Sequence, residues 1–88
     1  MEKRERTTIT VNKAARQAGV EVRVVRYCIE VGVAKEELTE DDVAELRRVR
    51  RLTSLGINLP GVEVILRMRR RIKALEAEVA RLERRLRR

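Results

Sequence analysis

The sequence predicts an all-α protein in which three short helices form a small body and a long fourth helix follows. Apolar residues recur at spacings of three and four along most of the chain, as expected for helices with one buried face. Single glycines punctuate these stretches at Gly19, Gly32 and Gly56. No helix breaker follows Gly61, so the last helix can continue for about 29 residues, or roughly 43 Å, which exceeds what so small a body can cover.

The N-terminal part divides into a flexible segment, residues 1–10, and the start of a helical domain, residues 11–57. Residues 1–6 are charged and unpatterned, and the β-branched run 7–11 is either a short strand or an extended lead-in. Asn12 is the predicted N-cap of a helix over 13–18, because its side-chain oxygen can accept a free backbone N–H. A second helix is predicted over 22–31, although its valines also suit a strand.

The third helix has the clearest start signal. Thr39 followed by Asp42 resembles a capping box, and three acids in the first turn suit the helix dipole. An apolar stripe predicts its buried face: Val43, Leu46, Val49, Leu52 and Leu55.

Residues 58–88 are predicted to form a coiled-coil dimerisation helix. Heptad positions a and d are all apolar: Ile65, Met68, Ile72, Leu75, Val79, Leu82 and Leu86. The alternative is an amphipathic helix that folds back on its own body. Attraction of Arg69 to Glu76 and of Arg71 to Glu78 favours an antiparallel pair, whereas β-branched residues at a with Leu at d favour a parallel one, so the sequence favours the antiparallel pair only slightly.

Composition excludes most catalytic chemistry. The chain has 22 Lys or Arg, 14 Asp or Glu, a net charge of +8, one Cys and no His. With no His and one Cys, neither the common metal sites nor a Ser-His or Cys-His pair can form within one chain, so we expect no enzyme, no cofactor and no metal. No apolar run is long enough for a membrane span, and we expect a cytoplasmic protein.

The positive charge first suggests nucleic acid, but its distribution is uneven. Residues 1–33 have seven basic and four acidic groups, residues 34–56 have five and six, and residues 57–88 have ten and four. Most of the excess therefore lies in the last helix. The many Arg and Glu residues, with only three Asn or Gln, also suggest a thermophilic source.

Two groups of residues resemble a known family. The first half reads Val11-Asn12-x-Ala14-Ala15-x-x-x-Gly19-Val20, then Val24-Val25-Arg26-Tyr27, then Gly32-Val33, and looks like the helix-turn-helix of MerR-type regulators. The segment Gly56-Ile57-Asn58-Leu59-Pro60-Gly61-Val62 before a long helix is similar to the heat-shock repressor HspR and, more loosely, to chaperone modulators of the CbpM type and DnaK–DnaJ assembly factors of the DafA type. The resemblance implies a helix-turn-helix body, a second helix pair and a dimerising coiled coil.

The chain departs from the family pattern at the wing. MerR regulators carry a basic hairpin there that grips the DNA backbone, whereas here only the residues 34–37 separate Val33 from Leu38. An acidic cluster surrounds this point: Glu36, Glu37, Glu40, Asp41, Asp42 and Glu45. Phosphate contacts dominate DNA affinity, so both changes disfavour DNA.

The resemblance leads to two hypotheses, beside the plainer one of a structural coiled coil. The first is a homodimeric chaperone cofactor whose acidic cluster binds a DnaJ-type protein and modulates or assembles it with DnaK. The alternative is an HspR-like, DNA-binding regulator of heat-shock genes, binding weakly through the cations of its first two helices: Lys13, Arg16, Arg23 and Arg26.

Overall fold

The computed structural model describes residues 8–87 and contains four helices. These are α1 (Val11–Ala18), α2 (Val22–Glu30), α3 (Glu40–Ser54) and α4 (Leu59–Leu86). Within this range the chain forms no strand, and one antiparallel bridge joins Ile9 to Leu38. The all-α architecture with a long C-terminal helix is therefore confirmed. Residues 1–7 of the segment predicted to be flexible lie outside the described residues.

The packed body includes the residues just before α1. Ile9 is buried, and its N–H donates to the Leu38 carbonyl at 2.9 Å. This bridge precedes an extended Thr10, whose hydroxyl accepts from the Lys13 N–H at 3.1 Å. The N-cap of α1 is therefore Thr10, and the prediction of Asn12 was wrong: both residue types can cap a helix, and the bridge at Ile9 decides which one stands at the boundary.

The turn between α1 and α2 depends on Gly19, which has φ +75°. This left-handed conformation is costly for residues with a Cβ, and here it turns the chain after one short helix into the next. The second helix, left open between helix and strand by its valines, is helical because Val25 and Cys28 point into the body at helical spacing.

Helix α3 forms the centre of the body. Val43, Leu46 and Val49 are fully buried, and the helix packs against both α1 and α4. The predicted apolar stripe was wrong at Leu55, which is 75% exposed. The helical periodicity ends with α3 at Ser54, so Leu55 no longer lies on the buried face.

Helix α4 begins as part of the body and then leaves it. The Asn58 side chain caps it by accepting from the Gly61 N–H at 2.9 Å, and Pro60 occupies the tolerated first turn. Val62 and Leu66 are buried against the core. From residue 71 to residue 87 every residue is exposed, so more than half of the helix lies at the surface in the single chain.

Candidate functional site

The connection between α2 and α3 is short and tightly packed. It spans residues 31–39, and Val33, Ala34 and Leu38 within it are buried. The Val33 and Ala34 N–H groups both donate to the Cys28 carbonyl, at 2.8 and 3.0 Å, which turns the chain directly off the end of α2. No hairpin stands between the two helices, so the position that a wing would occupy holds only a tight loop.

Four exposed carboxylates surround this loop, and we call them the acidic surface: Glu36, Glu37, Glu40 and Asp41. Glu36 and Glu37 lie in the loop itself, whereas Glu40 and Asp41 lie in the first turn of α3. The positive end of the α3 dipole stabilises Glu40 and Asp41, and within residues 8–87 no hydrogen bond or ion pair engages the side chain of any of the four acids. They are therefore accessible to a partner.

The remaining two acids of the predicted cluster are engaged within the chain. Asp42 is 6% exposed, and its carboxylate accepts from the Lys35 N–H at 3.2 Å, the Thr39 N–H at 2.9 Å and the Thr39 hydroxyl at 3.2 Å. This confirms the capping box and shows that it also fixes the preceding loop. The structure thus places Asp42 in the framework beneath the acidic surface.

Glu45 lies one turn further along α3 and is also largely buried. Its Oε1 accepts from Arg48 at 3.2 Å, and its buried Oε2 lies 3.9 Å from the Arg70 Nε without a hydrogen bond among the described residues. Sequence spacing placed Glu45 with the accessible acids, because spacing alone does not distinguish the α3 face that packs against α4.

A contact that the sequence did not indicate joins α4 to this loop. The Arg70 guanidinium donates to the main-chain carbonyls of Gly32, at 3.1 Å, and Val33, at 2.5 Å. Arg70 lies in a run of arginines, 69–71, and no pattern in the run distinguishes it from its neighbours. The acidic surface and the long helix are therefore held in a fixed relation.

The cations predicted to read DNA are all exposed. Lys13 and Arg16 lie on α1, whereas Arg23 and Arg26 lie on α2. The Arg23 Nε is 2.5 Å from the Glu21 carboxylate, a pair so exposed that water competes with it strongly. Tyr27, which follows Arg26 on α2, is directed towards α4, and its hydroxyl donates to the Glu63 carboxylate at 3.2 Å. Partial burial first, and this hydrogen bond second, raise the pKa of Tyr27 above its usual value.

Cys28, also on α2, faces the core and is 2% exposed. Burial, with a smaller contribution from the Glu45 charge, raises the pKa of its thiol to about 11. The thiol therefore stays protonated and shielded at neutral pH, as an inert packing residue does.

The seven heptad residues form an exposed apolar seam along α4. Their exposure ranges from 37% at Ile65 to 85% at Leu86. Shallow apolar grooves lie between them, one bounded by Ile72, Leu75 and Val79. Within residues 8–87 Ile65 is the most covered member of the seam, and the other six are 44–85% exposed.

Comparison with known proteins finds one match. A family model described as "MerR HTH family regulatory protein" matches residues 9–84, nearly all of the described chain. No curated protein and no solved structure matches the sequence. None of the helices described has the length and apolarity that crossing a lipid bilayer requires.

Proposed function

Since the chain belongs to the MerR helix-turn-helix family of regulatory proteins, we propose that it is a wingless member acting as a chaperone cofactor. In this role it binds a DnaJ-type protein and modulates it or assembles it with DnaK. The observation that carries the proposal is the acidic surface at the position of the missing wing. Carboxylates there repel nucleic-acid phosphates and attract a cationic protein surface.

The arrangement of the acids supports a protein partner. Glu36, Glu37, Glu40 and Asp41 lie within six residues and are exposed, while Asp42 and Arg70 fix the loop beneath them from two sides. A pre-organised surface loses little conformational freedom when it binds. The resemblance supplies the candidate partner, because J-domains resemble one another in carrying a basic helix.

The proposed active form is a homodimer joined through the seam of α4. Seven apolar heptad positions on one helix can pack against the same seven positions of a second copy. Each a or d side chain then inserts into a space between four residues of the facing helix. Charges flank it, among them Arg69 and Glu76, which would attract each other in an antiparallel pair. A dimer would also bury apolar surface that the single chain leaves in water.

A DNA-binding regulator of heat-shock genes remains the second candidate. It is favoured by the family and by the exposure of Lys13, Arg16, Arg23 and Arg26 on the first two helices. With few cations and no wing, such binding would be weak and steeply salt-dependent.

Co-elution of the chain with its own organism's DnaJ-type protein at micromolar concentration tests the proposal. We expect a complex with the wild type and none with Glu36→Lys/Glu37→Lys. A matched control is Glu21→Lys/Glu30→Lys, which makes the same charge change at exposed positions of α2 and its N-cap, outside both the acidic surface and the seam. Asp42 is left intact because its substitution would disturb the loop. Loss of binding in both double variants, or none by the wild type at low salt, would contradict the proposal.

A mobility shift tests the second candidate. A specific complex with an operator-like palindrome near physiological salt, lost on Arg23→Ala/Arg26→Ala, would favour DNA binding instead. We expect no specific shift.

A further inference from the structure

The far end of α3 carries a second charged feature, of opposite sign. A concavity of about 290 Å³ lies between the end of α1 and the C-terminal half of α3. Its lining contains four arginines and no acid, and we call it the basic concavity: Arg16, Gln17, Ala18, Gly19, Arg47, Arg50 and Arg51.

The geometry of α3 brings three of these arginines together. Arg47, Arg50 and Arg51 are spaced three and four residues apart, so they share one face of the helix. Arg48 points elsewhere and pairs with Glu45. Arg16, in the last turn of α1, approaches from the other side.

One of these arginines packs against the turn between α1 and α2. The Arg50 side chain lies across Gly19, where an added Cβ would be only 3.2 Å from the Arg50 Cδ and 3.3 Å from its Nε and Cζ. The glycine thus provides the left-handed turn and also leaves room for the arginine. Arg50 is exposed, with its side chain packed against this turn.

The charges of the concavity are not neutralised within the described part of the chain. The ion pairs found between residues 8 and 87 involve other arginines, namely Arg23, Arg48, Arg67, Arg70 and Arg81. Four guanidinium groups around one small space repel one another, and an anion bound between them would relieve that repulsion.

We propose that the basic concavity is a binding site for a phosphate group, either free or in a nucleic-acid backbone. Guanidinium groups present planar forks of N–H donors that match phosphate oxygens in pairs. A phosphate has several peripheral oxygens and can bridge two or three forks at once, whereas a carboxylate offers two oxygens to one fork. The site is separate from the acidic surface, since their nearest members along α3, Asp41 and Arg47, are six residues, or about 9 Å, apart.

Calorimetric titration with pyrophosphate at low ionic strength tests the site. We expect Arg47→Gln/Arg50→Gln to weaken pyrophosphate binding at least about tenfold, because the loss of one hydrogen bond between charged groups lowers affinity by about that factor. The control, Arg84→Gln/Arg87→Gln, removes the same charge from an exposed position of α4 and from the exposed residue that caps its C-terminal end, both away from the seam, and should bind like the wild type. Arg50→Lys keeps the charge without the fork, and we expect an intermediate affinity. Thermal melts establish that each variant is folded.

A short duplex of random sequence distinguishes the two sources of phosphate. Duplex binding that pyrophosphate displaces, and that Arg47→Gln/Arg50→Gln weakens, supports a nucleic-acid backbone in the concavity. Pyrophosphate binding that the duplex does not displace supports a free phosphate. Equal loss in the concavity and control variants, no pyrophosphate binding by the wild type, or equally strong competition by polyglutamate would overturn the proposal.

Discussion

Arg70 of α4 donates a hydrogen bond to the main-chain carbonyl of Val33, 37 residues earlier in the chain. The same guanidinium reaches the Gly32 carbonyl at 3.1 Å, so it holds the residues where the chain leaves α2 and turns towards α3. One side chain therefore links the helix that bears the seam to the loop that bears the acidic surface. In a dimer this link would set how the two acidic surfaces are oriented.

Replacing Arg70 by Met should destabilise the body. The substitution removes two hydrogen bonds from a charged donor but keeps an apolar stem on α4, and because the guanidinium is about half exposed we expect a loss near 1 kcal/mol. Urea denaturation of the variant measures the change. The matched control is Arg84→Met on an exposed part of the same helix; an equal loss there would show that the Arg70 contacts contribute nothing.

Asp42 and Asp41 should respond differently to substitution by Ala. Asp42→Ala removes three hydrogen bonds, including the Asp42 half of the capping box of α3, and we expect a loss of about 1–3 kcal/mol in the free energy of unfolding. Asp41→Ala removes only a charge near the helix dipole, for a loss of roughly 0.5 kcal/mol. Chemical denaturation compares the two. Equal losses would mean that the neighbouring acids share one role.

The contrast between Asp41, which is exposed, and Asp42, which is buried, illustrates what sequence alone can and cannot predict. The Thr39 cap, the buried face of α3 and the length of α4 follow from local patterns that a helix repeats. Whether Asp42 and Glu45 are accessible depends on contacts with Lys35 and Arg70, which tertiary packing brings together. The N-cap of α1 was missed for the same reason, since the bridge between Ile9 and Leu38 selects Thr10.

Ile72→Asp/Leu75→Asp should abolish the proposed dimer. Both residues are exposed in the single chain, so the substitutions harm the body little, but in a dimer they bury unpaired charge at a cost of several kcal/mol (about 3–5). Light scattering should show a dimer for the wild type and a monomer for the variant. Ala77→Asp adds a charge on the opposite face of α4 and should remain dimeric. A monomeric wild type at high concentration would exclude the seam as an interface.

The buried thiol of Cys28 predicts a slow alkylation. A pKa raised from 9.0 to about 11 lowers the thiolate fraction near pH 8 about 100-fold relative to an exposed cysteine, before shielding slows the reaction further. Mass spectrometry after iodoacetamide treatment should show labelling of denatured but not of native chain. Rapid labelling of the folded protein would mean that α2 opens readily.

The same thiol makes stability depend on alkaline pH. The folded state retains the thiol proton to a higher pH than the unfolded state. The contribution of the protonated Cys28 to the free energy of unfolding is therefore fully present below pH 9 and is lost as the pH rises towards 11. Cys28→Ala removes this dependence, at the cost of a small cavity. The slope of unfolding free energy between pH 9 and pH 11 should therefore be shallower in the variant than in the wild type.

Fluorescence anisotropy of a labelled J-domain, titrated with the chain near physiological salt, tests the central claim that the acidic surface binds a DnaJ-type protein. We predict saturable micromolar binding by the wild type and by Arg23→Ala/Arg26→Ala, and its loss when Glu36, Glu37, Glu40 and Asp41 are all changed to Lys in a chain that remains folded. Undiminished binding after the four acidic substitutions, or loss of binding with the two arginines, would contradict the account.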